Sequence, residues 1–187
     1  MLSRSGFCAW ITCEGKEIIE YESTLDSTGK RVICWIPSEA GKTFSVHWAD
    51  QGTNVDSATY IKLDGFTVPG RFLFGKGQAQ RSGVRVGDDS ERPFQFSRVD
   101  EAGYRNNPEV GTIAVKIKLV LRNGRRQPNA PQTIPPPARG THTDLHSFAE
   151  ECKTYMQTPD TWSFEPYDKS GPSTHVAFVF RYRSRRK

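Results

Sequence analysis

His142 and His146 stand four apart, with Asp144 between them and Cys152 beyond. On a helix both imidazoles share one face and can grip a metal ion. The grouping lacks the glutamate of the H-E-x-x-H pattern, so the histidines are read as solvated and neither a metal nor any other cofactor is expected. Gly75-Lys76-Gly77, Arg81, Gly83 and Arg85 form a glycine-rich basic stretch of the kind that cradles phosphate. A nucleotide loop needs a Lys-Ser/Thr pair opening a helix after a strand. Ser82-Gly83-Val84 supplies neither, and 76–89 is expected to be a plain polar loop. Cys34, His47 and Asp50 are the residue types of nucleophile, base and orienting carboxylate. No nucleophile elbow accompanies them, His47 falls on the polar side of its strand, and no catalytic residue is assigned. The carboxylate pairs Asp88-Asp89 and Asp100-Glu101 are read as solvated loop residues.

The strongest chemical signal is charge. Arg122, Arg125 and Arg126 form one basic cluster, and Arg181, Arg183, Arg185, Arg186 and Lys187 form a second around Tyr182. These eight side chains exceed the whole formal charge of +5, so the remainder of the chain nets −3. Each cluster closes a predicted strand. If both strand ends lie at one rim, the clusters merge into a cationic patch with Tyr182 as a stacking surface for nucleic acid or another anion. Against this stands the plainer use of basic tails in solubility or nuclear import.

The elements that would carry these residues are strands. Phe7–Cys13 is rich in branched and aromatic residues and ends at Glu14-Gly15. Cys8 and Cys13 have opposite parity in it and should point to opposite faces. Further strands are expected over 17–22 and 31–36, the latter stopping at Pro37. In 43–48, Phe44, Val46 and Trp48 alternate with Thr43, Ser45 and His47. Residues 59–63 and 66–68 flank Asp64-Gly65, a favoured hairpin pair. Short strands follow at 71–74 and 93–97, and a long one spans 111–121, with Ile113, Val115, Ile117 and Leu119 on one face. Residues 123–142 turn Pro-rich and are expected to be a long, poorly packed surface loop. Leu145, Phe148, Cys152 and Tyr155 recur near helical spacing, predicting one short helix over 143–156. Residues 162–164 and 175–182 return to strand, with Phe178, Phe180 and Tyr182 on one face.

Many short strands with turn signals between them predict a mainly all-β chain, an antiparallel β-sandwich forming one domain over 1–187. At 187 residues with 35% hydrophobic and 11% aromatic content, the chain can build a ring-rich core without staples. The four cysteines show no C-x-x-C pair and are expected as reduced thiols. No signal peptide and no membrane span is expected, so the reading is an intracellular protein, cytoplasmic or nuclear.

Cys34-Trp35-Ile36-Pro37-Ser38-Glu39-Ala40-Gly41-Lys42-Thr43-Phe44-Ser45-Val46-His47-Trp48 forms a recognisable run. Leu63-Asp64-Gly65-Phe66 with Pro69-Gly70-Arg71, Glu91-Arg92-Pro93-Phe94, Val110-Gly111-Thr112-Ile113 and Phe178-Val179-Phe180-Arg181-Tyr182-Arg183-Ser184 extend it over nearly the whole chain. On these motifs the chain resembles an uncharacterised β-rich domain family abundant in mushroom-forming (basidiomycete) fungi. The resemblance implies a fungal, non-secreted β-domain without a long appended tail, and no activity, cofactor or site residue. The functional expectation is a non-enzymatic binding or interaction domain acting through loops and sheet edges, with a protein partner favoured. The alternatives are a nucleic-acid-associated nuclear protein using the basic rim, an enzyme with His47 in a pocket, and a carbohydrate-binding module. The last is disfavoured by reading Trp10, Trp35, Trp48 and Trp162 as core.

Overall fold

The computed structural model describes residues 1–98, 108–134, 148–171 and 173–184. One sheet contains β1 (Leu2–Arg4), β2 (Phe7–Cys13), β3 (Lys16–Glu17), β6 (Phe44–Asp50) and β9 (Gly77–Arg81). Its inward face follows from alternation: Phe7, Ala9 and Ile11 of β2 and Phe44, Val46 and Trp48 of β6 are buried. Register places Ala9 opposite Trp48 and Ile11 opposite Val46.

The second, larger sheet runs β4 (Tyr21–Leu25), β5 (Arg31–Ser38), β15 (Val176–Ser184), β12 (Thr112–Arg126), β7 (Asp56–Leu63), β8 (Phe66–Phe74), with β14 (Thr161–Pro166) on the far half of β12. Cys34, Ile61, Leu63, Ile113, Val115, Ile117, Phe178, Phe180 and Tyr182 line its inner face and join the first sheet's residues in one core cluster. Two layers of strands sharing one ring-rich core make an all-β sandwich. Among the described residues every pairing of strands is antiparallel except that of β5 with β15. The two strands lie far apart in sequence, and the long excursion between them gives the chain room for the crossover that a parallel pair needs.

The hairpin at Asp64-Gly65 forms as expected, both residues at positive φ (49° and 91°). That is the twist-matched two-residue turn, which Gly and Asp tolerate. Asp64 is buried there. Its Oδ1 accepts from the backbone N–H of Gly111 at 2.8 Å, and Tyr182 donates its hydroxyl to Oδ2 at 2.8 Å. One carboxylate thus ties the β7–β8 turn to the start of β12 and the end of β15.

Several expectations need correction. The stretch 76–89 is not a loop throughout: it carries β9 and β10 (Gly83–Arg85), and β10 pairs with β11 (Ser90–Pro93) in a third small sheet closed by β13 (Cys152–Lys153). The described part of 143–156 is not helical. Phe148 bridges Phe94, and Cys152 pairs with Glu91; residues 143–147 lie outside the described residues. The spacing that mimicked a helix is met by Phe148 burying against Phe66 and Phe94, while Tyr155 stays exposed. The strand expected over 17–22 divides between the two sheets as β3 and β4. Strand β5 continues through Pro37, beyond the last β4 partner at Trp35, where no ladder bond to β4 is lost. Strand β8 continues through Pro69-Gly70 by a register shift. A Cβ on Gly70 would lie 2.6 Å from the Thr59 carbonyl oxygen, so only glycine lets the backbone approach there. The Pro-rich loop begins later than residue 123, because β12 runs to Arg126, and Ile134 packs against the core. Residues 135–142 lie outside the described residues. Among the described residues no helix is long and apolar enough to cross a membrane.

Candidate anion-binding groove

The described members of the two basic clusters do not share a rim. Strands β12 and β15 are antiparallel neighbours, with Thr112 opposite Arg181. The C-terminal end of β15 therefore lies at the start of β12, and Arg122 is ten residues further along, roughly 33 Å away at strand rise. The described arginines of each cluster are also engaged. Arg122 pairs with Asp56 at 3.1 Å and lies over the rings of Phe74 and Trp162. Arg125 faces Asp160 at 3.7 Å, and Arg126 donates to Asn129 Oδ1 at 2.7 Å. Arg181 and Arg183 cover the ring of Trp35. Tyr182 is fully buried with its hydroxyl on Asp64 and Ser97, so it offers no stacking surface. Arg185, Arg186 and Lys187 lie outside the described residues.

The nucleophile, base and carboxylate types stand apart as well. Cys34 faces the core from β5, and burial pushes its thiol up to about 12. Asp50 on β6 is consumed by a turn, accepting from the N–H groups of Gly52 and Thr53 and from the Thr53 hydroxyl. His47 lies on the outer face of β6, stacked on Trp10 at 5.1 Å, with Nε2 2.9 Å from Thr12 Oγ1. Burial holds its imidazole below the ordinary value, only partly offset by Glu17. Because the unfolded chain binds that proton first, the stability contributed by neutral His47 is complete above about pH 6.5 and is lost as pH falls through its folded pKa. The wild-type melting temperature should thus fall more steeply as pH drops below about 6.5 than that of His47→Gln. Superimposable pH profiles would refute the assignment.

Cys8 is buried and Cys13 half-buried, on opposite faces of β2, and all four cysteines are free. Asp89 binds Lys153 at 2.9 Å and Asp88 lies 3.8 Å from Arg85. Asp100-Glu101 and the pair His142 and His146 lie outside the described residues. Of the tryptophans only Trp48 is core. Trp10, Trp35 and Trp162 are half-buried, but their faces meet His47 or arginine guanidinium groups, as a flat ring attracts a cation.

What the structure assembles instead is a groove of about 850 Å³. It is lined by residues of β7, β8, β9, β10 and β14 and by the stretches 126–132 and 155–160. The lining holds Arg71, Arg81, Arg85 and Arg126 against a single carboxylate, Asp160. Arg81 and Arg85 belong to the glycine-rich basic stretch noted in the sequence, which here serves as strand edge and not as a phosphate loop. The edge strands β8 and β9 meet at this point. Arg71 Nε donates to the Gln80 carbonyl at 3.3 Å, and Arg81 Nε donates to the Pro69 carbonyl at 3.2 Å. Gln132 Nε2 takes the Thr67 carbonyl at 3.1 Å. Side chains thus occupy backbone acceptors on β8, which blunts that edge against strand addition. Phe72 meets Trp162 and Phe164 edge to face, giving the groove an apolar wall.

The fold and groove define the chain as an all-β sandwich domain with one cationic, ring-walled cleft where the two sheets' edges come together. Compared with protein-family models, curated proteins and solved structures, the chain matches none of them.

Proposed function

We propose that this chain is a non-enzymatic binding domain that holds an acidic segment of a protein partner in the groove. The observation carrying this reading is the groove's charge, four arginines to one aspartate, in a concavity of the size that takes a ligand. Its chemistry is that of recognition. Cys34 faces the core, Asp50 is held in a turn and His47 is stacked on Trp10 away from both, which speaks for binding over turnover at these residues. The separation of the basic clusters weighs against a continuous track of phosphate contacts, and hence against a nucleic-acid backbone as the main ligand.

Selection of displayed peptides against the immobilised full chain tests the reading. Acidic sequences should enrich, and Arg126→Glu, at an exposed position on the groove, should abolish their retention. Enrichment that ignores this charge reversal, or stronger retention of single-stranded DNA at low salt, would sink it.

A further inference from the structure

The groove's arginines are not equivalent. Arg126 is bonded to Asn129 Oδ1, and Arg85 donates to the Asn129 carbonyl and faces Asp88. Among the described residues Arg71 and Arg81 are held only through Nε, each by a backbone carbonyl of the neighbouring edge strand. A guanidinium fixed at Nε has its plane set while both terminal NH2 groups stay available, which is the fork geometry that grips an oxyanion bidentately. Neither makes an ion pair within 4.0 Å among the described residues.

Arg81 is half-buried. Burial first, and then the charges of Arg71 and Arg85, lower its pKa, with Glu91 of β11 opposing. An arginine in such a place keeps its charge, so Arg81 stands as a cation beside two others. Two further groups in the lining are unsatisfied: Thr59 Oγ1 and Gln132 Oε1 are buried without a hydrogen-bond partner among the described residues. Buried polar atoms without partners are uncommon, and each calls for an explanation such as strain, an ordered water or an ion.

We propose that Arg71, Arg81 and Arg85 form a subsite for a phosphoryl group, so that the partner segment held in the groove is a phosphorylated peptide. This rests on the groove being the binding site and names its ligand chemistry. One carboxylate is satisfied by one fork, whereas a phosphomonoester brings close to two charges and three acceptor oxygens, matching a cluster of three cations. A peptide is favoured over a nucleotide because the nearby rings have few open faces. Phe72 is edge-packed against Trp162 and Phe164, the Trp162 face lies under Arg122 and Arg125, and Lys118 lies over Tyr60. Phe74 lies under Arg122, and exposed Tyr155 and Met156 can meet peptide side chains.

The test is fluorescence anisotropy of the full chain with degenerate peptide pools carrying a fixed phosphoserine or phosphotyrosine, against the same pools with unmodified serine, tyrosine or glutamate. Phosphorylated pools should bind at least about tenfold more tightly. Arg71→Gln should remove that preference; Arg71 is exposed, so the variant should keep the wild-type melting temperature. Arg81→Lys, which keeps the charge but loses the fork, should weaken the phosphorylated pools selectively. Equal binding of phosphorylated and unmodified pools, still abolished by Arg126→Glu, would overturn the phosphoryl subsite and leave the groove reading standing. Binding of no pool, or binding indifferent to every groove substitution, would overturn both. A preference for 5′-phosphorylated oligonucleotides over all peptide pools would replace the peptide with nucleic acid.

Discussion

Asp64→Ala should lower the free energy of unfolding by about 4–6 kcal/mol, more than most single substitutions achieve. The carboxylate accepts from the backbone N–H of Gly111 at 2.8 Å and of Thr112 at 3.2 Å, and from the Tyr182 hydroxyl at 2.8 Å. Alanine leaves the Gly111 and Thr112 N–H groups without this acceptor and the Tyr182 hydroxyl with Ser97 as its one described partner, beside a fully buried ring, and each buried donor without an acceptor costs about 1–3 kcal/mol. It also places a methyl-bearing residue at φ 49°, which alanine adopts at a cost of roughly 1–2 kcal/mol. Asp64→Asn keeps an acceptor oxygen and a residue type that tolerates this backbone, so it should cost much less. Urea titration with an unchanged m-value is the measurement. A loss below about 1.5 kcal/mol for alanine would mean that water or neighbouring groups replace the carboxylate.

Trp48→Ala should cost about 3–5 kcal/mol, as large-to-small changes in a packed core do. Trp48 is fully buried on the inner face of β6, opposite Ala9 of β2, so the alanine variant opens a cavity under both sheets. Trp48→Phe separates packing from polarity. Trp48 Nε1 is buried without a hydrogen-bond partner among the described residues, and removing that N–H recovers part of what the smaller ring loses in contact. The phenylalanine variant should therefore lie far closer to wild type in the urea midpoint than the alanine variant. Equal losses for the two would show that the volume of the ring does not decide the site, and would overturn the packing argument.

Alternation was the most legible feature. Phe44, Val46 and Trp48 pointed to the core from the sequence and do so in the structure, as do Ile113, Val115 and Ile117 and the set Phe178, Phe180 and Tyr182. These assignments depend only on the period-two geometry of extended chain, which is local. The Asp64-Gly65 turn was legible for the same reason. The helix expected over 143–156 was not reliable, because a few apolar residues at near-helical spacing cannot report that Phe148 has a ring cluster waiting for it across the fold. The strands β9, β10 and β13 escaped notice because they are short and polar and are held by their neighbours, with little propensity of their own.

The groove was hardly legible at all. In the sequence Arg81 and Arg85 belong to a stretch expected to be loop, Arg71 has no run of charge around it, and Trp162 resembles a core ring. The conspicuous charge lies at 122–126 and 181–187. Composition and local periodicity determine that this chain is a ring-cored all-β sandwich with an excess of arginine. Strand direction decides what those arginines can do. Because β12 and β15 pair in opposite senses, two basic strand ends that look alike in sequence are sent to opposite ends of a sheet. Arginines with no run of charge around them are meanwhile brought together where the two edge strands meet. Pairing sense and register are long-range properties that bind residues scores of positions apart, so only the assembled fold could place these side chains.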